Sequence, residues 1–362
     1  MTPKFIEKNI LSDFKSEWCG KHYEIIWIEE DDAEDAEDAE EDSKGKYMVD
    51  LGLCCINTVL RSEKPSIFPN RTCRLSTAQQ KGVEYVKELA LQNVKDVLTL
   101  LDWNKDNGIR SYRMSSDMFP HINNPRFETG YDKKGMKYSL SFAKDILKAI
   151  GRKARKYGIR LSFHPGHFNQ IASTSTDVFK STIVDLYIHS FILSIIEDGV
   201  DMGENSGILC VHGGGVYGDK KKTMDRWIER FPQLPKGVRR RLCLENCEKC
   251  YSSEDCLELA EKLNIPHIFD IHHYHCYDIL HKDETQKPIS ELLPRIFATW
   301  HKRNLKPYFH ISEQGSGKTG HHSDYVKELP SYILDTKHSL TIDIEAKAKE
   351  QAVLLLAKKY NL

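Results

Sequence analysis

In HIFDIHHYHC, residues 267–276, an apolar run passes after Phe269 into one aspartate, three histidines and a cysteine. Taken alone, this is a metal-binding tract of its own. Taken as the end of a buried strand, it is one contribution to a site that other strands must complete. The rest of the chain decides between the two. Seven more β-type runs occur, at 49–56 (VDLGLCCI), 110–115 (RSYRMS), 160–164 (RLSFH), 208–212 (ILCVH), 241–245 (RLCLE), 307–311 (PYFHI) and 340–345 (LTIDIE). Each is followed by a stretch that reads as helix, for example 77–107, 137–157, 176–198, 253–263 and 346–359. This alternation predicts parallel strands joined by right-handed crossovers and buried on both faces. A doubly wound open sheet alternates in the same way. Eight repeats in a chain of this length favour closure into an α/β fold of the (β/α)8, or TIM, barrel type.

The 362 residues are 40% hydrophobic, enough for a large core. No run approaches the ~18 uninterrupted apolar residues of a membrane span, and the opening MTPKFIEKNILSDFK lacks the apolar centre of a signal peptide. An intracellular protein without a membrane partner is expected, with nucleus and cytoplasm both open. Its ten cysteines are then expected as free thiols.

The net charge of −1 conceals an asymmetry. The tract EEDDAEDAEDAEED, 29–42, holds 11 of the 53 acidic residues, and the remaining 42 stand against 52 Lys and Arg, an excess of +10. A body of that charge, with clusters at 148–160, 220–222 and 239–241, suits a polyanionic partner, although solvated helix faces have the same composition. The tract itself has no apolar periodicity and is expected to be disordered. Residues 1–28 are accordingly read as an N-terminal extension, 29–47 as an acidic linker and 48–362 as the barrel domain. A monomer without an obligatory protein partner is expected.

In such a barrel the reacting groups stand at the C-terminal strand ends, and buried parallel strands are otherwise apolar. The polar residues fall there. Asn57 follows the first strand, His164 ends the third, His212 the fourth and Glu245 the fifth. Asp270 and His273 flank the end of the sixth, His310 lies in the seventh and Glu345 ends the eighth. Any one of these reads as a satisfied core residue, but together they converge on one pocket. Histidine and carboxylate ligands suit zinc, manganese or iron. Two or three such ions, bridged by a carboxylate such as Glu245, activate water and neutralise the attacking and leaving oxygens of a phosphodiester.

Three other motifs compete. Cys247 and Cys250 form a C-x-x-C, but no second pair stands at zinc-finger spacing. SEQGSGKT at 312–319 misses the first glycine of a phosphate loop and reads instead as a glycine-rich loop over the site. HGGG at 212–215 has no G-x-S-x-G partner to make it an oxyanion hole.

In order, LGLCCINTVL, RTCRLS, YRMSSDMFPH, LSFHPGHFNQIAS, VHGGGVYG, LCLEN, FDIHH, HISEQ with HHSDY, and IDIEAKAKEQAV closely resemble the UV damage endonuclease family, which shares its barrel with endonuclease IV. The resemblance runs from about Met48 to Gln351. It implies a repair enzyme that cuts double-stranded DNA 5′ of a UV photoproduct or related lesion and leaves a 3′-hydroxyl and a 5′-phosphate. It also implies two or three divalent ions, manganese the usual one, with zinc or magnesium as substitutes. The implied ligands are His164, His212, Glu245, Asp270, His273, His310, His322 and Glu345, with Glu245, His164 and His212 at the catalytic centre. Asn57, His167 and Phe168 are the implied neighbours of DNA and lesion, and His272, by its place at the end of the sixth strand, is expected either beside the DNA or as a support for a neighbouring ligand.

This chain departs from the family at several positions. His167 replaces the glutamine of the lesion-probing pair, with Phe168 as its aromatic member. Leu53 replaces a tyrosine after the strand-one glycine, Tyr308 a lysine two residues before His310, and Asn124 a histidine, with His121 nearby. An abasic-site endonuclease of the endonuclease IV type, a metal-dependent sugar isomerase on the same barrel, and a lesion-binding protein with weakened catalysis are the alternative readings.

Overall fold

The computed structural model describes residues 48–128 and 139–362. The expected N-terminal extension, the acidic linker and the start of the helix expected from 137 lie outside the described residues. Eight parallel strands, β1 (Val49–Cys54), β2 (Ser111–Met114), β3 (Arg160–Phe163), β4 (Ile208–His212), β5 (Leu242–Glu245), β6 (His267–Asp270), β7 (Tyr308–Ile311) and β8 (Leu340–Ile344), close in sequence order into a barrel. β8 pairs back onto β1 from Val49↔Leu340 to Leu53↔Ile344. The apolar outward faces of the strands meet the principal helices α1 (Val83–Asp106), α2 (Lys144–Tyr157), α3 (Thr176–Glu197), α4 (Lys220–Arg230), α5 (Ser253–Leu263), α6 (Ile271–Leu280), α7 (Ile289–His301) and α8 (Glu350–Tyr360).

The differences from the sequence reading have local causes. β1 stops two residues before position 56 because Cys55 turns to a φ of 63°. The helix expected at 77–107 is two helices, Leu75–Lys81 and α1, parted by Gly82, whose φ of 84° belongs to no right-handed helix. The helix expected at 346–359 begins only at Glu350, after Lys349 at φ 52°. Among the described residues β7 is followed by no barrel helix of ordinary length, only by Ser331–Leu334. The chain from Ser312 to Pro330 is a loop, pinned by a bridge between Gln314 and His322, and it carries His322.

Helix α3 is long and apolar enough to cross a membrane. Yet Thr182, Asp185, His189 and Glu197 are among its buried residues, and it packs on α2. Those polar groups find protein partners, as a barrel helix requires: Asp185 accepts from Asn169 at 2.6 Å and Glu197 from Arg241 at 2.7 Å. The nine described cysteines are free thiols.

The barrel interior is not filled by aliphatic side chains alone. The hydroxyl of Tyr308 sits 3.1 Å from Ser111 Oγ and 3.0 Å from Ser162 Oγ, and the Arg160 guanidinium lies over the Tyr308 ring at 5.2 Å. Tyr308 thus engages the layer beneath the strand ends.

Candidate active site

Glu245 ends β5 with its carboxylate buried, and each of its oxygens meets imidazoles. Oε2 lies 2.8 Å from His164 Nε2 and 3.6 Å from His212 Nε2. Oε1 lies 2.9 Å from His310 Nδ1 and 3.5 Å from His273 Nδ1. Register explains the convergence: His212 pairs with Glu245 across β4–β5, and Asp270 with His310 across β6–β7. His164 stands one residue beyond β3, and its ring lies 5.0 Å from that of His212 and 5.8 Å from that of His310.

Asp270 has two roles. One oxygen caps α6 by accepting the His273 N–H at 2.7 Å, which fixes His273 at the start of the helix. The other lies 3.5 Å from His273 Nδ1. Asn246 holds the Asp270 backbone from both sides, donating to its carbonyl and accepting its N–H, both at 2.9 Å. Glu345 follows β8, 3.6 Å from His310 Nδ1 and 3.7 Å from His322 Nε2. All eight expected ligands therefore belong to one connected group.

Burial and charge act against each other here. Burial opposes ionisation of Glu245, but His212, His310 and His164 outweigh it and hold the carboxyl well below its usual range. Burial pushes Asp270 up to about 6 and His212 down to about 3. His273 and His310 go the other way. Burial disfavours their charge, but Asp270 and Glu245 for His273, and Glu245 for His310, raise them above the ordinary imidazole value.

Sequence reasoning missed three members of the site. Arg113, on β2, reaches Asp343 at 3.0 Å, Glu345 at 2.5 Å and His310 Nε2 at 3.1 Å, and holds Glu345 far below its usual range against the effect of burial. Cys210 places its Sγ 2.8 Å from Glu245 Oε2. Glu248 lies 3.8 Å from His273 Nε2. Two signals were available: an arginine inside a buried strand, and the period of two that puts Cys210 on the face of His212 and Asp343 on that of Glu345.

The residues expected near DNA separate. Phe168 is 64% exposed, whereas His167 beside it stacks on His212 with centroids 4.8 Å apart. His272 is buried, edge-on to His322 at 5.8 Å and 3.5 Å from Cys276 Sγ. Asn57 is also buried, its side chain accepting the Leu60 N–H at 2.9 Å as the cap of helix Thr58–Ser62. Its engagement is therefore with backbone. His121 lies 2.9 Å from the Cys73 carbonyl and 3.4 Å from Asn124, and Leu53 is buried in β1.

A divalent cation fits the central group. His212 Nδ1 and Asp270 Oδ2 are buried without a hydrogen-bond partner, a costly state for a core that held nothing else. Among the described residues there are two compact sets of candidate ligands, His164–Cys210–Glu245–His310 and His212–Glu245–His273, and both use Glu245. These are nitrogen, oxygen and sulfur donors of the kinds that bind borderline divalent metals.

Known proteins agree with this architecture. The model of the family described as UV-endonuclease UvdE matches residues 49–362. A protein of Acanthamoeba polyphaga mimivirus is 37% identical over 321 residues, covering 86% of this chain and 92% of its own. The UV-damage endonuclease of Schizosaccharomyces pombe is 37% identical over 318 residues, covering 86% of this chain; the match spans only 51% of the yeast protein's length. The crystal structure of SacUVDE superposes with a TM-score of 0.73 at 26% identity, covering 86% of this chain and 98% of that one. The matched span takes in every strand that bears a candidate ligand, and the chain belongs to the UV-endonuclease UvdE family.

Proposed function

We propose that this chain is a DNA-repair endonuclease that hydrolyses the phosphodiester bond 5′ of UV photoproducts and related lesions, leaving a 3′-hydroxyl and a 5′-phosphate. Family membership supports the class of reaction, and the name of the Schizosaccharomyces pombe relative supports the substrate. The observation that carries the reading is Glu245, one buried carboxylate shared among four imidazoles at the ligand-bearing mouth of a barrel.

Glu245, His164, His212, Asp270, His273, His310, His322 and Glu345 would hold two or three divalent ions, manganese being the first candidate. When bound, such ions neutralise charge on the attacking and leaving oxygens and acidify water. The protein's own groups prepare the site. Asp270 fixes His273 through the α6 cap, and Arg113 fixes Glu345. His167 covers His212 from the solvent side of the cluster, and Phe168 beside it supplies an exposed ring that can enter a weakened base step.

A nicking assay tests this. With manganese supplied, the protein should cut a UV-irradiated duplex, and Glu245→Ala should lower the rate at least about a hundredfold. Equal cutting by Glu245→Ala would end the proposal. An abasic duplex assayed in parallel distinguishes the abasic-site reading. Salt-dependent binding of irradiated DNA without cleavage in any divalent metal would replace the nuclease by a lesion-binding protein.

A further inference from the structure

Cys247 and Cys250 stand in the loop that joins Glu245, at the end of β5, to the cap of α5 at Ser252. Both are half-buried, whereas Cys210, Cys243, Cys256 and Cys276 are buried. Their thiols are hydrogen-bonded to each other. The Cys247 Sγ also accepts the N–H groups of Cys250 at 3.2 Å and Tyr251 at 3.4 Å, and the Cys247 N–H donates to the Tyr251 carbonyl at 2.9 Å. The loop is folded around one sulfur with the second held against it. Among the described residues, neither thiol belongs to a set of three or more candidate metal ligands.

The same loop touches the site on two sides. The Asn246 carbonyl lies 3.1 Å from His273 Nδ1, and the Glu248 carboxylate 3.8 Å from His273 Nε2. The Tyr251 ring packs on Gly213, next to His212, so closely that a Cβ at Gly213 would sit 2.5 Å from it.

We propose that Cys247 and Cys250 form a reversible disulfide whose closure slows the enzyme; the inference rests on the nuclease reading above and adds a control to it. The oxidant is a peroxide or a small disulfide. With hydrogen peroxide, the Cys250 thiolate attacks one oxygen, the O–O bond breaks and a sulfenic acid forms. The Cys247 sulfur then attacks that of Cys250, the S–S bond forms and the sulfenic oxygen leaves as water with the Cys247 proton. Two electrons pass from the thiols to the peroxide, and two waters result. The hydrogen bond from Cys247 holds the Cys250 thiol below its ordinary value, with Lys220 and Lys249 acting in the same sense against burial and Glu248. A disulfide draws its sulfurs to about 2.0 Å, closer than any thiol hydrogen bond. The bonded Cys247 sulfur is a poorer acceptor for its two N–H groups, and the turn that carries Glu248 must shift against His273. The rival account is a pair of thiols that merely cap a turn.

The test uses the full chain, reduced and then treated with hydrogen peroxide or oxidised glutathione, with the reagent removed before manganese and irradiated duplex are added. Trypsin cuts after Lys249, so the two cysteines fall on separate peptides unless a disulfide joins them. Mass spectrometry should find them joined after oxidation and parted by dithiothreitol. Nicking should fall about tenfold on oxidation, the scale set by groups that orient metal ligands, and return on reduction. Cys250→Ser should nick like reduced wild type and keep its rate after either oxidant. No crosslink in wild type, a crosslink that leaves the rate unchanged, or a loss of rate that persists in Cys250→Ser would each overturn the inference. Should Cys250→Ser fail to fold, wild type sampled along a graded oxidant series decides by whether crosslink and rate move together. If reduced wild type does not nick, the nuclease reading falls and this control with it. If reduced wild type nicks and oxidation yields no crosslink, this inference falls alone.

Discussion

At the scale of the residue, the site is a balance of buried charge. His273 and His310 would be driven neutral by burial, but the carboxylates of Asp270 and Glu245 overcome it and raise both above the ordinary imidazole value. In the metal-free protein both imidazoles therefore bind a proton more readily than an ordinary histidine, and an arriving cation must displace any proton they hold. Metal affinity should consequently rise with pH until the raised values are passed. Between about pH 6 and pH 8, titration calorimetry should show at least about a tenfold gain in affinity and a binding heat that changes with the ionisation enthalpy of the buffer. Equal affinities at the two pH values would show that the protons are absent. Arg113 is the fixed counterpart of the movable cations. Truncating it leaves Asp343 and Glu345 buried without their guanidinium, so Arg113→Ala should cost about 3–5 kcal/mol in urea unfolding of the metal-free protein. A loss under about 1 kcal/mol would assign the carboxylates another partner. The expected ligands at the strand ends were legible because a His, Asp or Glu closing an apolar run stands out, whereas His322, in the loop after β7, came from the family resemblance alone. Arg113 and Cys210 were not legible, since one resembles a solvated cation and the other an ordinary core residue until the strand register fixes their direction.

At the scale of the element, close approaches set the barrel's tolerances. Gly151 lies inside α2, and a Cβ there would sit 1.7 Å from the Ile196 carbonyl oxygen of α3. Helix propensity alone would make Gly151→Ala a gain of about 1 kcal/mol. Backbone cannot step aside as a side-chain tip can, so the variant should instead lose about 1–3 kcal/mol by forcing α2 off α3. Thermal unfolding decides the sign. A second junction joins β5, β6, α5 and α7 at His267, which lies 2.8 Å from the Leu244 carbonyl and 2.8 Å from Ser253 Oγ. Thr299 Oγ1 accepts its backbone N–H at 3.0 Å, and Trp300 Nε1 donates to its carbonyl at 2.8 Å. Burial pushes this imidazole down to about 4. Its folded value lies below its unfolded one, so the unfolded chain binds the proton first. Stability from His267 is complete above about pH 6.5 and falls toward pH 4, by up to about 3 kcal/mol. The advantage of wild type over His267→Gln in urea should therefore narrow as pH falls through this window, and an advantage constant with pH would refute the assignment. All eight strands were legible from their apolar runs, as was α5 in full, where Ser252 and Asp255 form a capping box. The break at Gly82 and the helix-poor connection after β7 were not, because periodicity continues through a single glycine and does not show how a loop is pinned.

At the scale of the molecule, the charge excess acquires a direction that composition could not supply. Arg160 and Arg241, members of two basic clusters, are buried. Arg160 donates to the Lys306 carbonyl at 2.6 Å, and Arg241 to Glu197 at 2.7 Å. Both stand at or next to the N-terminal ends of their strands, β3 and β5, opposite the mouth that carries the ligands. Arg240 belongs to the same end and is exposed, with Glu197 4.0 Å from its guanidinium. Lys221 and Lys222 differ. They are exposed in the first turn of α4, which opens directly after the loop leaving His212 at the ligand-bearing end of β4. If DNA lies across the mouth, Lys221 and Lys222 face its phosphates and Arg240 does not. Each phosphate neutralised releases counterions and steepens the fall of log K with log salt by roughly 0.9. Lys221→Ala and Lys222→Ala should each weaken binding of an irradiated duplex and reduce that slope by about 1, whereas Arg240→Ala should leave it unchanged. Binding measured by fluorescence anisotropy across a salt series reads both quantities. A slope that falls for Arg240→Ala and stays for the two lysine variants would place the DNA at the opposite end of the barrel, far from Glu245, and would contradict the nuclease geometry itself.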